Sequence, residues 1–68
     1  MVDDIKIGRV YRHKRTQARY GVVRNKAKMQ VGTAWRHAVI YVALDVEDGQ
    51  EYVRDLDAFR DRFEEEPA

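Results

Sequence analysis

Basic side chains interleaved with aromatic ones are the feature of this 68-residue sequence with the clearest capacity for chemistry. Cationic side chains pair with phosphates and aromatic rings stack on bases, so this mixture is typical of a nucleic-acid-binding surface. The basic segment that we interpret as a hairpin covers residues 9–28. The candidate binding residues are Arg9, Arg12, Lys14, Arg15, Arg19, Arg24, Lys26, Lys28, Trp35 and Arg36.

The charge distribution leaves a second interpretation open. Residues 1–40 carry ten Lys and Arg against two Asp, whereas residues 41–68 carry three Arg against ten Asp and Glu, for a net charge of +1. Either basic and acidic strands neutralise each other in the folded domain, or a basic surface persists and meets phosphate or an acidic partner. In the first case, Tyr11 and Tyr20 are core residues rather than stacking platforms.

Trp35 also allows two interpretations. The single Trp of so small a domain is usually a core residue. It lies within residues 32–37, however, which is a segment without a clear strand pattern that could form an exposed loop. An exposed Trp beside Arg and His is typical of protein interfaces and of stacking on a base.

Catalytic and metal chemistry have little support. The chain contains no Cys and no Ser, and its two Thr residues lie in segments without a nucleophile-elbow pattern. His13 and His37 lie on different predicted elements and lack metal-ligand spacing, so we expect His13 to hydrogen-bond locally. We therefore expect a protein that is not an enzyme, with no metal and no cofactor.

The elements that position these residues are predicted to be mainly strands, because nine Val and three Ile outnumber two Leu. Residues 9–13 and 19–24 form a hairpin in this prediction, and the conformation of residues 25–37 stays open. Residues 38–46 carry apolar side chains on both faces, which predicts a central strand buried on two sides. Asp48 and Gly49 indicate a tight turn before a strand over residues 51–56.

The C-terminal segment is predicted to be a short helix. Leu56, Phe59 and Phe63 form one apolar stripe at helical spacing, and Asp55 or Asp57 caps the start. The acidic run at residues 64–66 lies at the unfavourable end of this helix, so its last turn should fray. Residues 67–68 follow it as a disordered tail, and residues 1–66 form a single domain.

Several segments together carry a family resemblance. They are Gly8 with residues 11–14, residues 20–23, residues 39–41, and Gly49 followed by residues 52–56 and Phe59. In order and spacing they resemble a small bacterial and phage family, domain of unknown function 1653. Asp55 stands where that family has Pro, and Arg15 where Gly follows the Lys. The resemblance implies a small SH3-like barrel, and the family has no established activity to transfer.

The sequence therefore predicts an α+β, mainly β domain: a small antiparallel SH3-like barrel of four or five strands with a short C-terminal helix. We expect a non-enzymatic binding module, in first place a protein-interaction or accessory domain of phage type with an unidentified protein partner. The alternative is a nucleic-acid-binding protein that uses the basic hairpin. No transmembrane run or signal-peptide layout is present in the sequence, so we expect a cytoplasmic protein without membrane contact, as a monomer or weak homodimer.

Overall fold

A five-stranded antiparallel sheet and one helix make up the fold. The computed structural model describes residues 5–47 and 49–67. The elements are β1 (Val10–His13), β2 (Arg19–Val31), β3 (Ala34–Ala43), β4 (Glu51–Asp55), α1 (Leu56–Arg62) and β5 (Phe63–Glu65). The strands form one open sheet in the order β4-β3-β2-β1-β5. The predicted mainly β class with a short helix is confirmed.

The segment that the sequence left open belongs to a long hairpin. β2 continues for 13 residues to Val31, and β3 begins at Ala34. Gly32 has a φ of +61° at the turn between them, a conformation that glycine adopts without strain. The register between β2 and β3 shifts on both sides of Arg24, and such bulges bend a strand and increase its twist. The hairpin therefore has a proximal half, paired also with β1, and a distal half formed by β2 and β3 alone.

The predicted C-terminal helix is too long. Helix α1 ends at Arg62, and Phe63 adopts an extended conformation with φ −124° and ψ 154°. Residues 63–65 form β5, which pairs with β1. Three Glu residues at a helix C-terminus would face the negative end of the helix dipole, whereas beside β1 two of them, Glu65 and Glu66, pair with arginines. Asp55 caps the helix as predicted, because its carboxylate accepts a hydrogen bond from the backbone N–H of Ala58 at 3.2 Å.

Aromatic side chains form most of the core. Phe59 is fully buried, and its ring stacks on that of Phe63 with centroids 4.2 Å apart. Tyr11 and Tyr41 pack edge-on against Phe59 at 5.5 and 5.2 Å. Helix α1 thus covers the sheet face that carries Tyr41 and Val39, which we call the core face. Because the rings come from three strands and the helix, the core forms only when the whole sheet is assembled.

The opposite face, which we call the outer face, is less buried than the sequence predicted. Strand β3 is flanked on both sides by other strands, as expected for a central strand. Its outer-face residues Ile40 and Val42 are only half-buried, however, and Leu44 is exposed. The expectation that β3 is buried on both faces is therefore wrong for the outer face, because α1 covers only the other side of the sheet.

Two predictions fall partly on residues that are not described. Asp48 of the predicted turn lies outside the described residues, and Gly49 has the expected positive φ of +65°. In the predicted tail, Pro67 has no regular secondary structure, and Ala68 lies outside the described residues. Within the described part of the chain, no helix has the length and apolar character needed to span a membrane.

Candidate functional site

The first part of the predicted basic hairpin is paired with acidic residues of the C-terminal segment. Arg9 lies 3.7 Å from Glu65, and Arg19 lies 3.1 Å from Glu66 in a two-pronged contact. Arg12 approaches the same Glu66 carboxylate at 3.8 Å. The prediction that opposite charges on neighbouring strands neutralise each other is thus confirmed here, so this part of the candidate surface is not free to bind phosphate.

Arg36 is paired as well. Its Nε donates a 2.8 Å hydrogen bond to the carboxylate of Asp55, the residue that also caps α1. This hydrogen bond lowers the pKa of Asp55 below its usual range, and the backbone N–H of Ala58 lowers it further. The same contact raises the pKa of Arg36. Arg36 therefore connects the distal half of β3 to the start of the helix.

Five cations of the candidate set make no ion pair with any described residue. They are Lys14, Arg15, Arg24, Lys26 and Lys28. The structure does not bring all five together. Lys14 and Arg15 lie in the turn between β1 and β2, and Arg24 faces Ile40 on the outer face. Lys28 faces His37 instead, on the core face of the distal hairpin.

Lys26 and Lys28 line a groove between the distal hairpin and α1. The groove has a volume of about 460 Å³, and we call it the basic groove. Its walls are formed by Ile5, Asn25, Lys26, Lys28, His37, Leu56 and Arg60. No carboxylate is among these residues, but Arg60 is paired with the carboxylate of Asp57 at 3.8 Å. The groove is therefore cationic, with an apolar contribution from Ile5 and Leu56.

Trp35 lies beside the basic groove and is exposed. About 65% of its surface is accessible, so of the two interpretations left open the core position is wrong and the exposed one is correct. It faces Gln30 across the hairpin and shares the core face with His37, two residues away. The distal hairpin extends beyond the part of the sheet that Phe59 covers, which leaves the indole ring without a packing partner among the described aromatic residues. Trp35 lines a depression with Asp55 and Asp57, which adjoins the basic groove at the shared residues His37 and Leu56.

Sequence reasoning missed part of this surface. Arg60 was assigned only to the helix, Leu56 to the end of a strand and to the helix stripe, and His37 was considered as a metal ligand and as a neighbour of Trp35. The register of Lys28 with His37 could be inferred once a two-residue turn at Gly32 and Thr33 is recognised, because that turn fixes which residues face each other. The position of α1 beside the distal hairpin depends on tertiary packing, for which the sequence carries no local signal.

The other predicted residues have structural roles. Tyr11 is buried and its hydroxyl accepts a hydrogen bond from the backbone N–H of Lys6 at 2.9 Å, while burial raises its pKa. His13 hydrogen-bonds locally, as expected, because its Nδ1 accepts from the backbone N–H groups of Arg15 and Thr16. The part of the chain that the structure describes contains no cluster of three or more potential metal ligands.

Comparison with known proteins gives no match, since no family model, curated protein or solved structure corresponds to this chain. A function for this chain is therefore inferred from the geometry of the basic groove and of the residues around it.

Proposed function

We propose that this protein is a non-enzymatic binding module whose ligand is single-stranded nucleic acid. The observation that carries this proposal is the basic groove, in which Lys26 and Lys28 have no acidic partner among the described residues, next to the exposed Trp35. Phosphate groups supply the negative charge that the lysines lack, and a base supplies a flat ring for the indole. The proposed interface is therefore not the whole predicted hairpin of residues 9–28. It is the distal half of the β2–β3 hairpin together with the neighbouring part of α1.

A single strand fits this surface better than a duplex. An exposed indole gains most from an unstacked base, and the bases of a duplex are already stacked on each other. The groove also has apolar walls at Ile5 and Leu56, which suit the face of a base or sugar rather than a row of phosphates alone. Stacking of this kind is tolerant of sequence, so we expect weak preference among bases at Trp35.

Within the mainly β class, we propose an SH3-like barrel as the more specific fold. The long β2 is bent at its two register shifts and pairs with strands on both sides, while a short helix joins β4 to β5. The aromatic rings of Tyr41 and Phe63, from β3 and β5, lie 5.3 Å apart, as expected when a sheet curls on itself. Membership of the family of domain of unknown function 1653, a cytoplasmic location and a monomeric or weakly dimeric state are part of the same proposal.

A protein-interaction role is the second candidate. The observation in its favour is the set of aliphatic side chains exposed at or beyond the outer face: Val31, Leu44, Val46 and Val53 are each between 44% and 57% accessible. Contiguous exposed apolar side chains often mark an interface, whereas scattered ones do not. A protein partner would use this face and would leave the basic groove open.

The test of the proposed function is fluorescence anisotropy with labelled oligonucleotides. The full chain is titrated into a single-stranded DNA and a duplex of the same length at roughly 50 and 200 mM salt, where phosphate contacts are revealed by their salt dependence. We expect micromolar binding of the single strand at the lower salt, weaker binding of the duplex, and quenching of Trp35 fluorescence. Absence of binding to both probes at the lower salt would overturn the proposal and direct attention to the outer face.

A further inference from the structure

A second pocket lies on the core face, further along β3 from the basic groove. It has a volume of about 250 Å³, and all five strands contribute to it. We call it the tyrosine pocket; its main lining residues are His13, Tyr20, Tyr41, Tyr52, Arg54 and Phe63. Tyr41 follows His37 of the basic groove by four residues, which is about 13 Å along a strand. The two pockets are therefore distinct sites. Phe59 of α1 packs against Tyr41 on the core face.

The walls of the tyrosine pocket are aromatic. Tyr20 lies edge-on to Tyr41 and Phe63 with centroids 5.3 and 5.4 Å apart. Tyr52 is tilted by 31° to Tyr41 at 5.7 Å, and 43% of its surface is accessible. An exposed, supported ring at the rim of a pocket is a surface on which a planar ligand can stack. The volume is below the roughly 300–1,000 Å³ of pockets for drug-sized molecules, so the pocket suits a single ring system.

Arg54 determines the charge of the tyrosine pocket. Its Nε donates a 3.1 Å hydrogen bond to the hydroxyl of Tyr41, and its guanidinium carbon lies 5.6 Å from the ring centre of Phe63. No described carboxylate pairs with it. Aromatic pockets often take cations, but the resident guanidinium already occupies that role and would repel a second positive charge. The other two guanidinium nitrogens have no hydrogen-bond or ion-pair partner among the described residues, so they are available to acceptors of a ligand.

The remaining polar groups narrow the ligand further. The described lining residues contribute the imidazole of His13, the hydroxyl of Thr16 and those of the tyrosines, but no carboxylate and no amide side chain. Adenine is typically read by Asn or Gln and cytosine by a carboxylate, neither of which is present in this pocket. Guanine presents two adjacent acceptors, N7 and O6, which an Arg side chain contacts in a bidentate manner. A flat ring with that acceptor edge matches both the stacking surface and Arg54.

We propose that the tyrosine pocket binds one guanine base, stacked on Tyr52 and hydrogen-bonded through its N7 and O6 edge to Arg54. The base comes from a free guanine nucleotide or from an unpaired guanine of the single strand bound in the basic groove. The second source rests on the proposed function; the first does not. The lysines of the basic groove thus bind phosphate, whereas Arg54 binds a base.

The experiment is an NMR titration of the full chain with GMP, AMP, CMP, UMP and inorganic phosphate. We expect GMP to shift the Arg54 side-chain N–H signal and the ring signals of Tyr52 more than the other nucleotides do, and phosphate alone to leave both unchanged. Equal shifts with all four nucleotides, or the same shifts with phosphate alone, would overturn the proposal.

Arg54→Lys keeps the positive charge but removes the guanidinium fork, and it should weaken GMP binding at least about tenfold. The matched control is Arg12→Lys on β1, where Glu66 is the partner, and it should bind GMP as the unmodified chain does. Circular dichroism establishes that both variants are folded. GMP binding by Arg54→Lys at unchanged affinity would contradict the assignment.

The two proposals fail separately. If single-stranded DNA binds but GMP produces no shift, the basic groove keeps its function and the guanine assignment is wrong. If GMP binds and the oligonucleotide does not, the tyrosine pocket serves a free nucleotide and the proposed function is wrong. Replacement of Lys26 and Lys28 should leave the GMP shifts intact in either case, because neither residue lines the tyrosine pocket.

Discussion

Removal of the two unpaired lysines from the basic groove is the most direct perturbation of the proposed interface. Lys26 and Lys28 are exposed and make no ion pair with described residues, so Lys26→Gln with Lys28→Gln removes two charges without breaking a contact. Glutamine keeps most of the side-chain length and tolerates an exposed strand position. The double variant should therefore fold normally and lose affinity for single-stranded DNA.

The size of the effect follows from the number of phosphates that the groove neutralises. Lys26 and Lys28 give two contacts, because Arg60 is already paired with Asp57, and for a single strand the logarithm of affinity falls with the logarithm of salt by about 0.7 per contact. Raising salt fourfold, from roughly 50 to 200 mM, should weaken binding by the unmodified chain about 7-fold. With neither contact left, the same change should leave the binding of the double variant nearly unchanged.

The measurement is fluorescence anisotropy at four or more salt concentrations, with the slope as the readout. The matched control is Arg9→Gln with Arg19→Gln, which removes the same amount of charge from the same half of the chain but from residues already paired with Glu65 and Glu66. Its slope should equal that of the unmodified chain. If the control and the test variant lose slope equally, binding depends on net charge alone and the groove is not the interface.

Three further predictions concern affinity and stability. Trp35→Ala should leave the unfolding midpoint unchanged and reduce oligonucleotide affinity by about 1–3 kcal/mol, whereas Trp35→Phe should keep most of it; equal affinity of Trp35→Ala and the unmodified chain would contradict the stacking role. Phe59→Ala should lower the free energy of unfolding by about 3–5 kcal/mol, out of about 3–10 kcal/mol for a domain of this length, so circular dichroism should show a much lower unfolding midpoint or an unfolded chain; an unchanged midpoint would contradict the place of Phe59 in the core. The pKa of Asp55 is lower in the folded chain than in the unfolded chain. The ionised carboxylate therefore contributes its full stabilisation above the unfolded-state pKa of about 4, and this stabilisation is lost as pH falls through the lower, folded-state pKa. Asp55→Asn retains a capping side chain but not the charge, so urea unfolding should show the two proteins converging in stability below about pH 4; a constant difference down to pH 2 would contradict this linkage.

Local patterns in the sequence were sufficient for much of the fold. The alternation around Tyr11 and Tyr20 predicted the first hairpin, and Gly49 marked the turn into β4. The spacing of Phe59 and Phe63 was interpreted as one helical stripe, and both residues are indeed buried. The helix nevertheless ends between them, because residues 63–65 gain backbone hydrogen bonds and ion pairs from β1 that a frayed helix end lacks.

The candidate site was less predictable because it depends on contacts between distant segments. Which arginines are neutralised is decided by the pairing of β1 with β5, and nothing near Arg9 or Arg19 in the sequence indicates that pairing. Trp35 was left open between the core and an exposed segment, because residue type favours the core and the local pattern does not. Its exposure follows from the length of the β2–β3 hairpin, whose distal half extends beyond the part of the sheet that Phe59 covers, and that length was hidden by the mixed composition of residues 25–37.

The sheet order explains why one half of the basic hairpin is neutralised and the other is not. The acidic strand β5 pairs only with β1, so its carboxylates reach cations on β1 and at the start of β2. The distal half of β2 pairs only with β3, beyond two register shifts that bend the strand. Lys26 and Lys28 are therefore separated from β5 by the architecture rather than by sequence distance. The two lysines thus remain without an acidic partner among the described residues and line the basic groove, and the exposed Trp35 lies beside them.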